Sequence, residues 1–204
     1  SSTFAQQYIV PLVPEFLEMY PGLNLDLRLS DMELDLIQGS FDLALRDAVL
    51  PDSNLKARKL ADDRRIFCAS PEYLAKWGTP KHPDDLHSHQ LVAFKSQATI
   101  ALVGPEGRKE QLDPRNLQNR LIIDDGLSYK IATMEGAGIA LHALWSVHRE
   151  LSAGTLVQVL QDYRMDAEPA LWLVYPKSNV LTAKVRVFID FLVERIGLRP
   201  PWLG

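Results

Sequence analysis

One cysteine, Cys68, stands among 204 residues, so no disulfide can form within the chain. That fits a reducing, cytoplasmic setting and excludes a small disulfide-stapled scaffold. Cys68 lies inside the apolar run Arg64-Arg65-Ile66-Phe67-Cys68-Ala69. No histidine stands near it in sequence to activate it, and it reads as a structural thiol rather than a nucleophile. No apolar run approaches the ~18 residues that a bilayer span needs, and no basic stretch followed by an apolar one opens the sequence as a signal peptide would. Positive charge is not in excess either: 22 Lys and Arg are set against 26 Asp and Glu, for a net charge of −4. The tightest basic group, Arg58-Lys59 with Arg64-Arg65, is interrupted by Asp62-Asp63. Affinity for DNA comes from clustered cations that release counterions, so this chain alone is not built to grip a duplex. It also shows no helix-turn-helix pattern.

Catalytic signatures are missing as well. There is no Gly-x-Ser-x-Gly elbow, phosphate loop or His-Glu-x-x-His pair, and no nucleophile, base and oxyanion hole can be assembled. Gly136 and Gly138 form a lone Gly-x-Gly fragment suited to tight helix–strand packing. His82, His87 and His89 with Asp84 and Asp85 crowd one stretch, but their spacing matches no zinc pattern and no thiolate is near. The chain is therefore read as a non-enzyme with no metal and no cofactor. What is present is an ordinary globular composition, 47% hydrophobic and 24% charged, and a length that suits one large domain or two small lobes.

Periodicity supplies the elements. Ile9, Leu12, Val13, Phe16, Leu17 and Tyr20 make a helical stripe. Leu23, Leu25, Leu27 and Leu29 alternate with polar residues as a half-buried strand does. Ser30-Asp31-Met32-Glu33 reads as a capping box that opens a helix to Gln38, closed by Gly39, and Phe41–Arg46 returns as a strand. This strand–helix–strand order predicts a parallel pair joined by a right-handed crossover. Ser70 is placed to cap a helix that has Pro71 at its first position. Further on, Leu91–Phe94 reads as a strand, and Thr99–Val103 forms a hairpin with the residues after Gly104-Pro105-Glu106-Gly107. Leu121–Ile123 is a strand ending on Asp124-Asp125-Gly126, followed by a helix over Leu127–Glu135. Then come a strand over Gly138–Leu141, a helix over Trp145–Leu151, the run Leu156–Leu160, a return strand over Leu171–Pro176, and a last helix that Thr182 can cap and Gly197 ends.

The order and spacing of these segments closely resemble the effector-binding domain of LysR-type transcriptional regulators. The resemblance rests on Ser2-Thr3-Phe4-Ala5, Pro11-Leu12-Val13-Pro14-Glu15-Phe16, Tyr20-Pro21, Phe41–Arg46, the Arg64–Leu74 crossing, Gly136-Ala137-Gly138-Ile139-Ala140, Gly154-Thr155-Leu156-Val157 and Lys184–Leu192. It implies an α/β fold of two Rossmann-like lobes with a cleft between them, like a periplasmic binding protein of type II. Residues 1–70 with 171–204 would form lobe I and residues 71–170 lobe II, and the DNA-binding domain would lie outside this chain. The family carries a strand directly ahead of its Ser-x-Phe segment, where the given sequence opens at Ser1. Two positions depart from the family's habit, with Ile100 or Leu102 where relatives often carry Trp, and Ala143 where they often carry Pro.

Ligands of open α/β sheets bind at the carboxyl ends of strands, where helix N-termini present free N–H groups. Ser2 and Thr3, Ser30 and Asp31, and Asp124, Asp125 and Gly126 occupy such places, with Arg46 and the trio Phe94, Lys95 and Ser96 at strand ends. Each Ser, Thr or Asp could equally cap its own helix. The resemblance implies that the set lines the cleft and holds a small metabolite. Arg46 is the expected positive group, which points to a small, partly apolar organic acid. The resemblance further implies a homodimer or tetramer, action on DNA through the missing domain, and a possible contact with RNA polymerase. Self-association should run side by side and antiparallel, through the Leu12–Tyr20 helix, the Leu23–Leu29 strand and the helix near Tyr129–Met134, with Met19 and Tyr129 as probes and Phe16 in the core. A free solute-binding protein of the same architecture is the alternative reading.

Overall fold

The computed structural model describes residues 1–31, 41–47, 55–95, 98–167, 169–177 and 181–203. The expected helix to Gln38 and its Gly39 stop lie outside them. The chain divides into two compact units, Ser1–Asp63 with Pro169–Gly204, and Arg64–Glu168.

In the first unit, the stripe begun at Ile9 lies on an unbroken helical run that starts earlier, at Ser2. It passes through α1 (Ser2–Phe4), a wide π-turn (Ala5–Ile9), a 3₁₀ turn (Val10–Leu12) and α2 (Val13–Met19). The change of pitch has a local cause: Pro11 and Pro14 bring no N–H to the ladder, so the turns ahead of them cannot keep regular α-helical bonding. Phe16, 1% exposed, packs against Phe188 and Phe191 with ring centroids 4.8 and 5.2 Å away. Both partners lie on α6 (Ala183–Leu192), so the aromatic contacts join the first helical run to the last. Thr182 stands at the N-cap of α6, but its side chain makes no capping bond. A π-turn over Val193–Gly197 ends the run. Gly197 is needed there, because a Cβ would lie 2.6 Å from the Leu60 carbonyl oxygen.

The sheet of this unit departs from the sequence expectation. Strands β1 (Ala44–Arg46) and β2 (Leu55–Asp62) both pair antiparallel with β11 (Ala170–Pro176), in the order β1-β11-β2. No parallel pair forms among the described residues of this unit, and 23–29 join no ladder there. Alternation gives such a segment two faces, but a strand also needs a neighbour for its backbone donors and acceptors. β2 went unread because Lys56, Arg58 and Lys59 are exposed on it. Charges on an edge strand discourage further pairing and erase the apolar signal at the same time.

The second unit follows the sequence closely. β3 (Arg65–Ala69) is the middle of an antiparallel trio with β8 (Ala140–Ala143) and β9 (Val157–Val159). It runs straight into α3 (Pro71–Trp77), whose cap is Ser70 Oγ accepting from Tyr73 N at 3.2 Å. β4 (Gln90–Phe94) pairs parallel with β7 (Gln118–Ile123). A parallel bridge between Leu91 and Ile139 extends this pair toward β8. Gly138 permits that approach, since a Cβ there would lie 2.4 Å from the Gln90 carbonyl oxygen. The predicted start of β8 at Gly138 therefore moves to Ala140. β5 (Ile100–Val103) and β6 (Lys109–Leu112) form the expected hairpin, joined by β10 (Arg164–Met165). Ile100 and Leu102 face inward with Phe67, Leu86, Leu91 and Ile139 in the main core.

Candidate functional site

In the first unit, Ser2 and Asp31 come together. The Asp31 carboxylate accepts from Ser2 N at 2.6 Å and from Ser2 Oγ at 2.9 Å. Asp31 thereby supports the opening turn of the helical run, where free N–H groups favour a carboxylate. Thr3 is one residue further, 2% exposed, and its hydroxyl oxygen has no hydrogen-bond partner among the described residues. A buried hydroxyl left unpaired costs free energy, and such a group calls for an explanation. Ser30 is half-buried beside Asp31. Arg46 closes β1 opposite Trp172 and is half-buried.

In the second unit, Phe94, Lys95, Asp124, Asp125 and Gly126 gather at the carboxyl ends of parallel β4 and β7 and at the start of α4 (Gly126–Met134). Lys95 N donates to the Ile123 carbonyl at 2.8 Å, extending the ladder by one bond. Its ammonium lies 3.5 Å from Asp124, with both side chains more than half exposed. A pair that open to water contributes little to stability and leaves both charges available to a ligand. Asp125 is the N-cap of α4, its Oδ2 accepting from Ser128 N at 2.7 Å. The capping role is therefore filled there. Phe94 stands edge-on to Tyr129, with centroids 5.5 Å apart. Ser96 lies outside the described residues.

The histidine-rich stretch is spent on the fold. His82 Nδ1 accepts from Asp84 N, and its Nε2 sits 3.1 Å from Glu110. His89 Nδ1 sits 3.2 Å from the Tyr73 hydroxyl. Among the described residues, no three His, Cys, Asp or Glu side chains gather to hold a metal ion. No helix among them is long and apolar enough to cross a membrane. Cys68 is fully buried, and burial together with the charge of Glu150 pushes its thiol up to about 12.

Tyr129 corrects the expected contact surface. It is 4% exposed and points inward, while Leu127 and Ile131 are 42% and 49% exposed on the same helix. Sequence reasoning also missed the polar set behind α4, formed by Tyr129, Lys130, Thr133, His142 and Glu150. A helical wheel drawn over 126–134 carries the signal, since Tyr129, Lys130 and Thr133 share one face and Leu127 and Ile131 another. Desolvation, then Arg65 and Lys130, hold the His142 imidazole down to about 3.

The family model described as the LysR substrate binding domain matches residues 1–197. The chain belongs to this family. It is 33% identical over 192 residues to the HTH-type transcriptional regulator CrgA of Neisseria meningitidis serogroup C, covering 93% of this chain and 62% of that protein. It is 35% identical over 191 residues to DmlR of Escherichia coli K12, covering 93% and 61%. The chain thus spans about three fifths of the length of these curated relatives. Among solved structures, the CrgA regulatory domain superposes with a TM-score of 0.82 at 32% identity, over 97% of this chain and 96% of that one. Full-length AphB of Vibrio cholerae gives 0.79 at 28% identity, over 94% and 65%. The fold is accordingly that of a LysR regulatory domain, a two-lobed α/β architecture of the periplasmic binding protein type II class.

Proposed function

We propose that this LysR-family domain senses a small-molecule effector and assembles with a second copy, within a transcriptional regulator whose DNA-binding module lies outside residues 1–204. The effector is held at the strand end and helix start that carry Arg46 and Thr3 in the first unit. Its binding biases the arrangement of subunits, and so of their DNA-binding modules. The observation that carries the ligand reading is Thr3, a buried hydroxyl with no partner among the described residues, at the opening turn of a helix. An effector carboxylate or hydroxyl reaching that oxygen would satisfy it. Arg46, at the end of β1 in the same unit, supplies positive charge. A small, partly apolar organic acid is the favoured class. The whole regulator acts in the cytoplasm as a dimer or tetramer, with RNA polymerase as a further candidate partner. The names of the relatives favour this reading over a free solute-binding protein.

A thermal-shift screen of small organic acids tests it. The best ligands should raise the melting temperature of the parent chain and lose most of that effect with Thr3→Val and Arg46→Ala. Equal binding by both variants would overturn the assignment.

A further inference from the structure

Helix α4 buries polar groups beside the apolar Ala132 and Met134. Its three buried residues, Tyr129, Lys130 and Thr133, all carry polar tips, whereas Leu127 and Ile131 are exposed. Each buried tip is engaged by a different neighbour. The Tyr129 hydroxyl accepts from Leu141 N at 3.1 Å and lies 3.3 Å from the Val92 carbonyl, which ties the helix to β8 and β4. Thr133 Oγ1 donates to Tyr129 O at 2.8 Å and lies 2.9 Å from His142 Nε2. A hydroxyl has one proton, so Thr133 accepts from His142, which fixes the imidazole with its proton on Nε2. Lys130 Nζ lies 2.7 Å from Glu150 Oε1, with both side chains largely buried, joining α4 to α5 (Leu144–Ala153).

Apolar packing has no preferred direction and tolerates small slides. Hydrogen bonds and buried ion pairs have narrow geometry and are lost over a fraction of a turn. Added to the apolar packing of Ala132 and Met134, such contacts give α4 one sharply defined register, which it leaves all at once, as a two-state element does. Gly126 at its start and Gly136 just past its end, at φ +80°, give the backbone freedom at both ends.

We propose that Thr133–His142 and Lys130–Glu150 form a polar lock that sets the position of α4 as a unit, and that α4 is the movable element linking the Asp124–Gly126 turn to the outward Leu127 and Ile131. The lock makes Thr133, His142, Lys130 and Glu150 positioning residues for that turn. The inference rests on the ligand reading only for what biases the lock, and its test uses the unliganded chain, so the two fail separately.

Amide hydrogen exchange is measured on the parent, Thr133→Val, Thr133→Ser and Glu150→Gln. Thr133→Val should speed exchange over 126–134 by ten-fold or more while α3 keeps its parental rates, and Thr133→Ser should restore the parent pattern. Glu150→Gln, which keeps shape and removes the charge, should loosen the same segment and stands in if the valine variant does not fold. Parental exchange in α4, equal acceleration of α3 and α4, or no rescue by serine would each overturn the lock.

Discussion

Asp31 closes on Ser2 across 29 residues of sequence, accepting from its backbone N at 2.6 Å and its hydroxyl at 2.9 Å. A carboxylate that takes two donors at the opening turn of a helix acts as a long-range cap. Asp31→Ala leaves both donors to water or unpaired, and should cost about 1–2 kcal/mol of stability. Asp31→Asn keeps one acceptor and should cost less. Urea denaturation followed by circular dichroism measures both, and a midpoint unchanged in Asp31→Ala would show that the contact carries no net energy.

His142 gives the protein an acid limit. Its folded-state value of about 3 lies below the ordinary 6.5, so the folded form prefers the neutral ring. The associated stability is complete above pH 6.5 and drains away as pH falls toward 3. The loss should be on the order of 2 kcal/mol between pH 6.5 and 4.5. His142→Gln has no proton to gain, so its urea midpoint should change less over that window than the parent's. Parallel slopes for the two proteins would remove His142 as the cause.

The second unit was readable where the rules are local. Ser70-Pro71 announces α3 within four residues, and Gly104–Gly107 announces the hairpin by turn chemistry alone. The first unit's sheet was less readable, because ladders depend on which distant strand is free to pair. Leu23–Leu29 alternates well and finds no ladder, while the charged edge strand β2 pairs along its whole length with β11. The strand-end rule named Phe94, Lys95, Asp124, Asp125 and Gly126, which share the carboxyl ends of β4 and β7 and the start of α4. It could not say that Asp31 is already engaged by Ser2, or that Tyr129 turns inward, since both depend on contacts far apart in sequence.

Cys68 should be inert in the native state. Burial and Glu150 keep its thiol protonated up to about pH 12, and the thiolate is the reactive form. An aromatic disulfide reagent at pH 8 should label it only as fast as the protein unfolds, and at once in 6 M guanidinium. Labelling of the native protein within seconds would contradict the burial. Cys68→Ala removes one sulfur from a small cluster with Ile66, Val147 and Leu156, and should cost about 1–2 kcal/mol.

The outward face of α4 offers the sharpest test of self-association. Leu127 and Ile131 are neighbours at i and i+4, 42% and 49% exposed. Apolar side chains grouped in this way favour coverage by another surface. A second copy related by a two-fold axis would need to bury roughly 1,000 Å² in total for a stable dimer, and Met19, half exposed in the first unit, is a second candidate contact. Ile131→Asp places a charge on that face without disturbing the core, so it should convert a dimer to a monomer by light scattering while leaving the urea midpoint within about 0.5 kcal/mol of the parent. Tyr129→Asp, two residues away, buries an unpaired charge against Val92 and His142 and should instead unfold the second unit. The two variants separate surface from core: a dimer that survives Ile131→Asp excludes this face as the contact, and a parent chain that is monomeric at high micromolar concentration excludes the dimer itself.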